Sequence, residues 1–307
     1  SNNLLNTLRG KANISYDVNE ETFGSSLSVD FAKYYPIISL YGNYNQRYMN
    51  YESEGIEDYW DERGGGISLR LPLQLKTGVW NSRLDVSLST GLMAVRNKKL
   101  RYPSEYGNGK FLKNKYSLFW YRQRRRAHRD LYPRFGTLLH LQYQHLPISD
   151  YRAEQFGLTA RQYLPGLFTN HSLALGVGLE KQAKPENSFS DYYWFQSTLR
   201  FARGYDAQTF TDLYKLSADY RLPILYPDLS IGSLIYFKRL RGGIFGDYAQ
   251  SISFEGAEKN YLSAGTELFL EFNLFNLEES FEIGGRASYL FDNQMPVFEF
   301  IMANIPF

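Results

Sequence analysis

The chain has no cysteine. That excludes a disulfide scaffold, thiolate metal sites and thiol chemistry, and it suits an envelope protein that crosses an oxidising periplasm. It has no run of about 18 apolar residues, so no helix can span a bilayer. It has little net charge, +2 over 307 residues, which points to no nucleic acid or other polyanion as partner. A His-Glu-x-x-His metal pattern and a Gly-rich phosphate loop opening a helix are both missing. The four histidines, His128, His140, His145 and His171, sit in no nucleophile motif. No enzyme activity, metal or cofactor is therefore expected. Ser1-Asn2-Asn3 lacks the basic start and apolar core of a signal peptide, so a mature form or a piece of a longer protein is expected.

What the chain does have is aromatic residues and alternation. Aromatics make up 17%, with 26 Tyr and 22 Phe. Mean hydropathy is only −0.42, so any membrane signal must lie in pattern and not in bulk. Ile67, Leu69, Leu71, Leu73 and Leu75 alternate with Ser68, Arg70, Pro72, Gln74 and Lys76. Leu173, Leu175, Val177 and Leu179 alternate with Ser172, Ala174, Gly176, Gly178 and Glu180. Leu262 to Leu274 repeats the pattern against Ser263, Gly265, Glu267, Phe269, Glu271 and Asn273. One apolar and one polar face, for roughly ten residues at a time, is how a transmembrane β-barrel reads. A soluble sandwich would have to put the smaller, more polar face inside. The expected fold is all-β: one transmembrane antiparallel β-barrel of about 14–16 strands covering residues 1–307.

Strand-like segments fall near 9–18, 23–34, 36–48, 66–76, 82–95, 112–122 and 136–146. Others follow near 155–164, 170–182, 212–224, 229–248, 260–275, 280–291 and 297–307. Short connections at Tyr34–Pro36, Lys76–Val79, Leu225–Asp228 and Asn276–Glu279 alternate with long ones such as 49–65, 97–111 and 183–211. Short turns on one rim and long loops on the other predict a periplasmic and an extracellular side.

The register is legible in places. Ile38, Leu40, Tyr44 and Tyr48 should face lipid; Ser39, Asn43, Asn45 and Arg47 should face the lumen. A one-residue slip would place Arg47 in hydrocarbon, at ~2–4 kcal/mol near the midplane. Ile283, Ala287, Tyr289 and Phe291 should face out, and Glu282, Arg286 and Ser288 in. Arg70, Arg83, Asp85, Glu180, Asp219, Arg221, Glu267, Glu271 and Arg286 then give the lumen both signs. That favours internal salt-bridge networks over a selective pore.

Four motifs recur in order. A turn reads Arg129-Asp130-Leu131-Tyr132-Pro133-Arg134-Phe135-Gly136, the longest loop contains Arg203-Gly204-Tyr205, the next strand carries Asp219-Tyr220-Arg221-Leu222-Pro223, and the one after carries Phe245-Gly246-Asp247. Over roughly residues 112–307 this set resembles the BamA-like outer-membrane assembly family, which includes two-partner secretion transporters. The resemblance implies that the long loop folds back into the lumen, with Arg203, Gly204 and Tyr205 at its tip. By alternation Asp219 points inward, and Asp247 lies on a neighbouring strand. Arg203 is expected to pair with Asp247, Asp219 or both, since a buried guanidinium needs carboxylates in fork geometry. The turn of Asp130, Pro133 and Gly136 resembles the family's periplasmic turn. Its Arg-Asp-x-Tyr-Pro-Arg form also resembles that of some Bacteroidota chains, in which a periplasmic β-propeller stands in place of POTRA domains.

Phe300 and the terminal Phe307 fit the C-terminal barrel signal and one side of the seam between first and last strands. The resemblance implies a preceding periplasmic domain outside this sequence. Against the family's usual sixteen strands three readings stay open: two strands before Ser1, part of one within residues 1–8, or a smaller closed barrel. It also implies integral location in a bacterial outer membrane and insertion or translocation of proteins there. Outer-membrane lipids, periplasmic or surface proteins and polypeptide substrates are the expected partners. An accessory barrel anchoring a partner complex and a passive channel are the alternatives. The basic run Arg122, Arg124, Arg125, Arg126, His128 and Arg129 is expected at the periplasmic rim, as a solvated turn or beside head groups.

Overall fold

The computed structural model describes residues 7–17, 21–51, 56–97, 108–125, 130–148, 153–183, 193–206, 210–253, 256–275 and 280–305. All regular structure among them is strand. The first seven strands are β1 (Leu8–Asp17), β2 (Thr22–Phe31), β3 (Ile37–Tyr51), β4 (Ile56–Thr77), β5 (Trp80–Arg96), β6 (Gly109–Arg124) and β7 (Gly136–His145). Then come β8 (Glu154–Pro165), β9 (Ser172–Gln182), β10 (Asp212–Leu225), the short β11 (Leu229–Ile231) and β12 (Ile235–Ile252). β13 (Glu258–Leu274), β14 (Ser280–Leu290) and β15 (Met295–Ile305) complete the chain. They form one antiparallel sheet in chain order, with β1 and β15 at the ends of that order and β11 beside the start of β12 only. This is an up-and-down β-barrel, the architecture in which every neighbour is joined by a hairpin.

Directly paired residues share a face, and the pairing sorts the side chains cleanly. Leu69, Leu71, Leu73, Leu75, Val86, Leu88, Leu175, Val177, Leu216, Ile244, Leu262 and Leu268 are exposed on the outside. Glu62, Gln142, Gln155, Glu180, Asp219, Asp247, Glu267 and Glu271 are buried inside. Each large apolar side chain left in water forgoes ~1.5–3 kcal/mol. Summed over this wall, that is more than a folded domain's whole stability, so the wall requires hydrocarbon around it.

Turn chemistry fits the hairpins. The two-residue turn between β4 and β5 has Gly78 at φ +58°, where a II′ hairpin needs glycine. Two expectations need correction. Much of 49–65 is strand and not loop: β3 runs to Tyr51 and β4 starts at Ile56. The charged run reads as a loop, but β4's 22 residues reach roughly 70 Å, well beyond a ~30 Å hydrocarbon core. Charges are therefore tolerated at its far end. Likewise 229–248 is not one strand, because a turn with Gly232 at φ +57° separates β11 from β12. The Asn276–Glu279 turn and most of 183–211 lie outside the described residues or carry no regular structure.

Candidate functional site

The long connection from β9 to β10 enters the lumen and is held there at three levels. At the long-loop rim, Tyr193, Trp194 and Phe195 pack against Trp60, Met93, Val95, Phe111, Leu146 and Ala153. A polar pin fixes this cluster. The Tyr193 hydroxyl donates to Glu62 Oε1 at 2.6 Å, Trp60 Nε1 donates to the same oxygen at 2.9 Å, and Arg47 pairs with it at 3.2 Å. The cluster lets a loop bury its apolar residues inside an otherwise polar lumen.

One level deeper, the segment 197–199 wraps Glu180, which is fully buried. Glu180 Oε2 accepts from the Thr198 amide at 2.7 Å, the Thr198 hydroxyl at 2.8 Å, the Ser197 hydroxyl at 3.0 Å and the Leu199 amide at 3.3 Å. Its Oε1 accepts from Gln155 at 2.8 Å and Gln182 at 3.3 Å. The wall makes room here by lacking side chains. A Cβ at Gly157 would stand 2.5 Å from Thr198 Oγ1, and one at Gly178 would stand 3.1 Å from Leu199 Cδ1.

Deepest is Arg203. Its Nε and Nη2 donate to the two oxygens of Asp247, each at 2.8 Å, and its backbone amide donates to Asp247 Oδ2 at 3.0 Å. Nη1 donates to Asp219 Oδ1 at 2.5 Å and to Glu267 Oε1 at 3.4 Å. The Phe245 ring lies 3.8 Å from the guanidinium carbon. A planar fork meeting one carboxylate with two donors, and an aromatic face besides, is geometry that lysine cannot reproduce. Beyond it, Tyr205 donates to the Leu262 carbonyl at 2.9 Å and to Asp292, and its ring meets Tyr261 edge-on at 5.1 Å.

Gly204 sits at φ +86°, and a Cβ there would lie 2.9 Å from both Ser288 Cβ and Leu290 Cδ2 on β14. Both the backbone and the space demand glycine. A Gly204→Val variant should lose roughly 2–4 kcal/mol of loop anchoring. Protease cleavage within 193–206 in intact membranes should rise accordingly, and unchanged resistance would contradict this placement.

The carboxylates around Arg203 are shared with cations that sequence reasoning did not gather here. Asp219 pairs with Arg161 at 2.9 Å, Asp247 with Lys215 at 3.5 Å, and Glu267 with Arg286 at 2.8 Å and Arg221 at 3.4 Å. Arg286 continues to Glu299 on β15 at 3.2 Å. Charges of alternating sign therefore run from β8 to β15. Arg161 on β8 reaches past β9 to Asp219 on β10, while the space over its pairing partner Gly176 is taken by Ser217 Oγ, which a Cβ there would strike. Long side chains separated by a strand leave no spacing signal.

Other expected residues fall elsewhere. Asp130 is buried in the β6–β7 turn, 3.6 Å from Arg134, and Pro133 is buried beside it. Gly136 opens β7, with a Cβ site 3.1 Å from Gln123 Cβ. None of the three touches Arg203. Phe300 faces outward on β15 and is exposed. Phe307 and the basic residues 126–129 lie outside the described residues. Arg122 stacks 4.9 Å over Trp80 on the outer wall. His140 meets Ser117 in the lumen at 3.1 Å, while His145 stacks on Tyr143 at 5.3 Å. Among the described residues no group of His, Asp and Glu could hold a metal.

The fold of this sheet is similar to that of solved BamA and CdiB structures. Two solved structures carry the likeness. BamA from Haemophilus ducreyi lacking POTRA domains 1–3 superposes with a TM-score of 0.57 at 15% identity, over 97% of this chain and 70% of that one. CdiB from Acinetobacter baumannii gives a TM-score of 0.57 at 11% identity, over 99% of this chain and 55% of that one. No protein-family model and no curated protein matches the sequence.

Proposed function

We propose that this chain is an integral outer-membrane barrel that inserts or translocates polypeptides, with the β9–β10 loop as a plug locked by Arg203. The observation that carries the reading is the bidentate hold of Arg203 on Asp247, with Asp219 and Glu267 around it, inside a barrel of BamA-like fold. On this reading the short-turn rim is periplasmic and the long-loop rim extracellular. The work is mechanical and needs no catalytic residue. On this reading the seam between β1 and β15 is where an incoming strand pairs with the sheet. The plug keeps the lumen from leaking while that seam is used.

Depleting the protein in its own cells tests the reading. Loss of other outer-membrane barrels, measured by quantitative proteomics of that membrane, is the expected result. Loss confined to one partner complex would favour an anchoring barrel. A large, steady conductance of the purified protein in planar bilayers would favour a passive channel.

A further inference from the structure

The turn between β6 and β7 reaches the underside of the Arg203 network. Tyr132, at its centre, is half-buried. Its ring stacks under two arginines: Arg221 lies 4.9 Å and Arg161 6.0 Å from the centroid, with Tyr163 packed at 5.2 Å. These two arginines touch the carboxylates that hold the loop. Arg161 takes Asp219 Oδ2 and leaves Oδ1 to Arg203. Arg221 takes Glu267 Oε2 and leaves Oε1 to Arg203 and Arg286. Each is thus a competitor of Arg203, held to one oxygen of a carboxylate whose other oxygen serves the lock.

We propose that Tyr132 is a positioning residue for the lock: by stacking beneath Arg161 and Arg221 it keeps each on a single carboxylate oxygen, so that the β6–β7 turn on the short-turn rim sets how firmly Arg203 holds the loop. The inference rests on reading the loop as a lumen plug. The physics is a competition. A guanidinium prefers to take both oxygens of a carboxylate, and a ring face steers it away from that fork. With the ring withdrawn, Arg221 is free to capture Glu267 whole and Arg161, left with only the Tyr163 ring at 5.9 Å, turns further onto Asp219, so that Arg203 loses its hold on two of its three anions. The turn has space to shift, because a cleft of about 360 Å³ opens between Tyr132 and Pro133 on one side and Tyr121, Thr137 and Tyr163 on the other. A periplasmic protein that draws the turn outward would loosen the plug without touching it.

The absence of cysteine makes the test clean. Ala202, next to Arg203, is buried at 2% exposure. An Ala202→Cys reporter in the full chain, in native membranes, is labelled with a membrane-impermeant maleimide. Labelling should be slow in the parent and fast with Arg203→Ala. Tyr132→Leu should raise the rate roughly three- to thirty-fold, while Tyr132→Phe, which keeps the ring, should match the parent. Tyr132→Met replaces the leucine variant if that one does not fold. No acceleration with Arg203→Ala would overturn the plug itself. Acceleration there but not with Tyr132→Leu or Tyr132→Met would overturn the role of Tyr132 alone, as would equal rates for the leucine and phenylalanine variants.

Discussion

Replacing Arg203 with alanine should release the loop while leaving the barrel wall folded. The two parts of this result follow from who else holds each carboxylate. Asp219 keeps Arg161, Asp247 keeps Lys215, and Glu267 keeps Arg221 and Arg286. No strand therefore carries an unpaired buried charge after the change. The loop, in contrast, loses its fork on Asp247, its contact with Asp219 and its stack on Phe245 together. Each hydrogen bond to a charged group is worth ~1.5–3 kcal/mol, and the loop loses several of them together. The unfolding temperature should drop on the order of 5–15 °C. Protease added outside the membrane should cut within 193–206. Arg203→Lys should behave nearly as badly, because an ammonium keeps the charge but cannot present the fork. A variant as heat-tolerant and protease-resistant as the parent would remove the lock from the account.

The second large effect is expected at Glu180. Removing its carboxylate by Glu180→Ala takes away six hydrogen bonds at once. The Thr198 amide and hydroxyl lose their acceptor, while Gln155, Gln182, Ser197 and Leu199 are left with one weaker partner each, Gln196 O, Phe195 O, Leu199 O and Ser197 Oγ. A hydrogen bond to a charged group is worth ~1.5–3 kcal/mol, and after the loop relaxes onto its remaining partners the loss should come to ~3–5 kcal/mol. Glu180→Gln should fall between, since an amide keeps one acceptor oxygen. Hydrogen exchange of the Thr198 and Leu199 amides is the direct readout. Protection equal to the parent's in Glu180→Ala would show that the loop does not depend on this anchor.

The wall was legible in the sequence because a strand has a period of two and a membrane barrel has two contrasting solvents. Leu71 and Leu73 announce lipid as plainly as Arg70 and Gln74 announce the lumen. The same parity turned Asp219 inward. What parity cannot show is reach across strands. Arg161 meets Asp219 from two strands away, a contact visible only once β8, β9 and β10 are in register. Nor could it show that Tyr193, Trp194 and Phe195 form a core, because aromatics in a long loop carry no period. Glu62 was hidden for a different reason. A run of acids beside three glycines has the composition of a loop, yet it pairs as strand because β3 supplies a partner at every step and Trp60 covers it.

The central claim, that the β9–β10 loop lies inside the barrel, is tested most directly by one cross-link. A Cβ at Gly157 on β8 would lie 3.6 Å from Thr198 Cβ on the loop, within the Cβ separation of ~3.5–4.5 Å that a disulfide requires. The chain contributes no other thiol. A Gly157→Cys, Thr198→Cys double variant oxidised in intact membranes should form this disulfide nearly completely and resist labelling by an impermeant maleimide. Two free, readily labelled thiols in a folded barrel would place the loop outside the lumen and contradict the account.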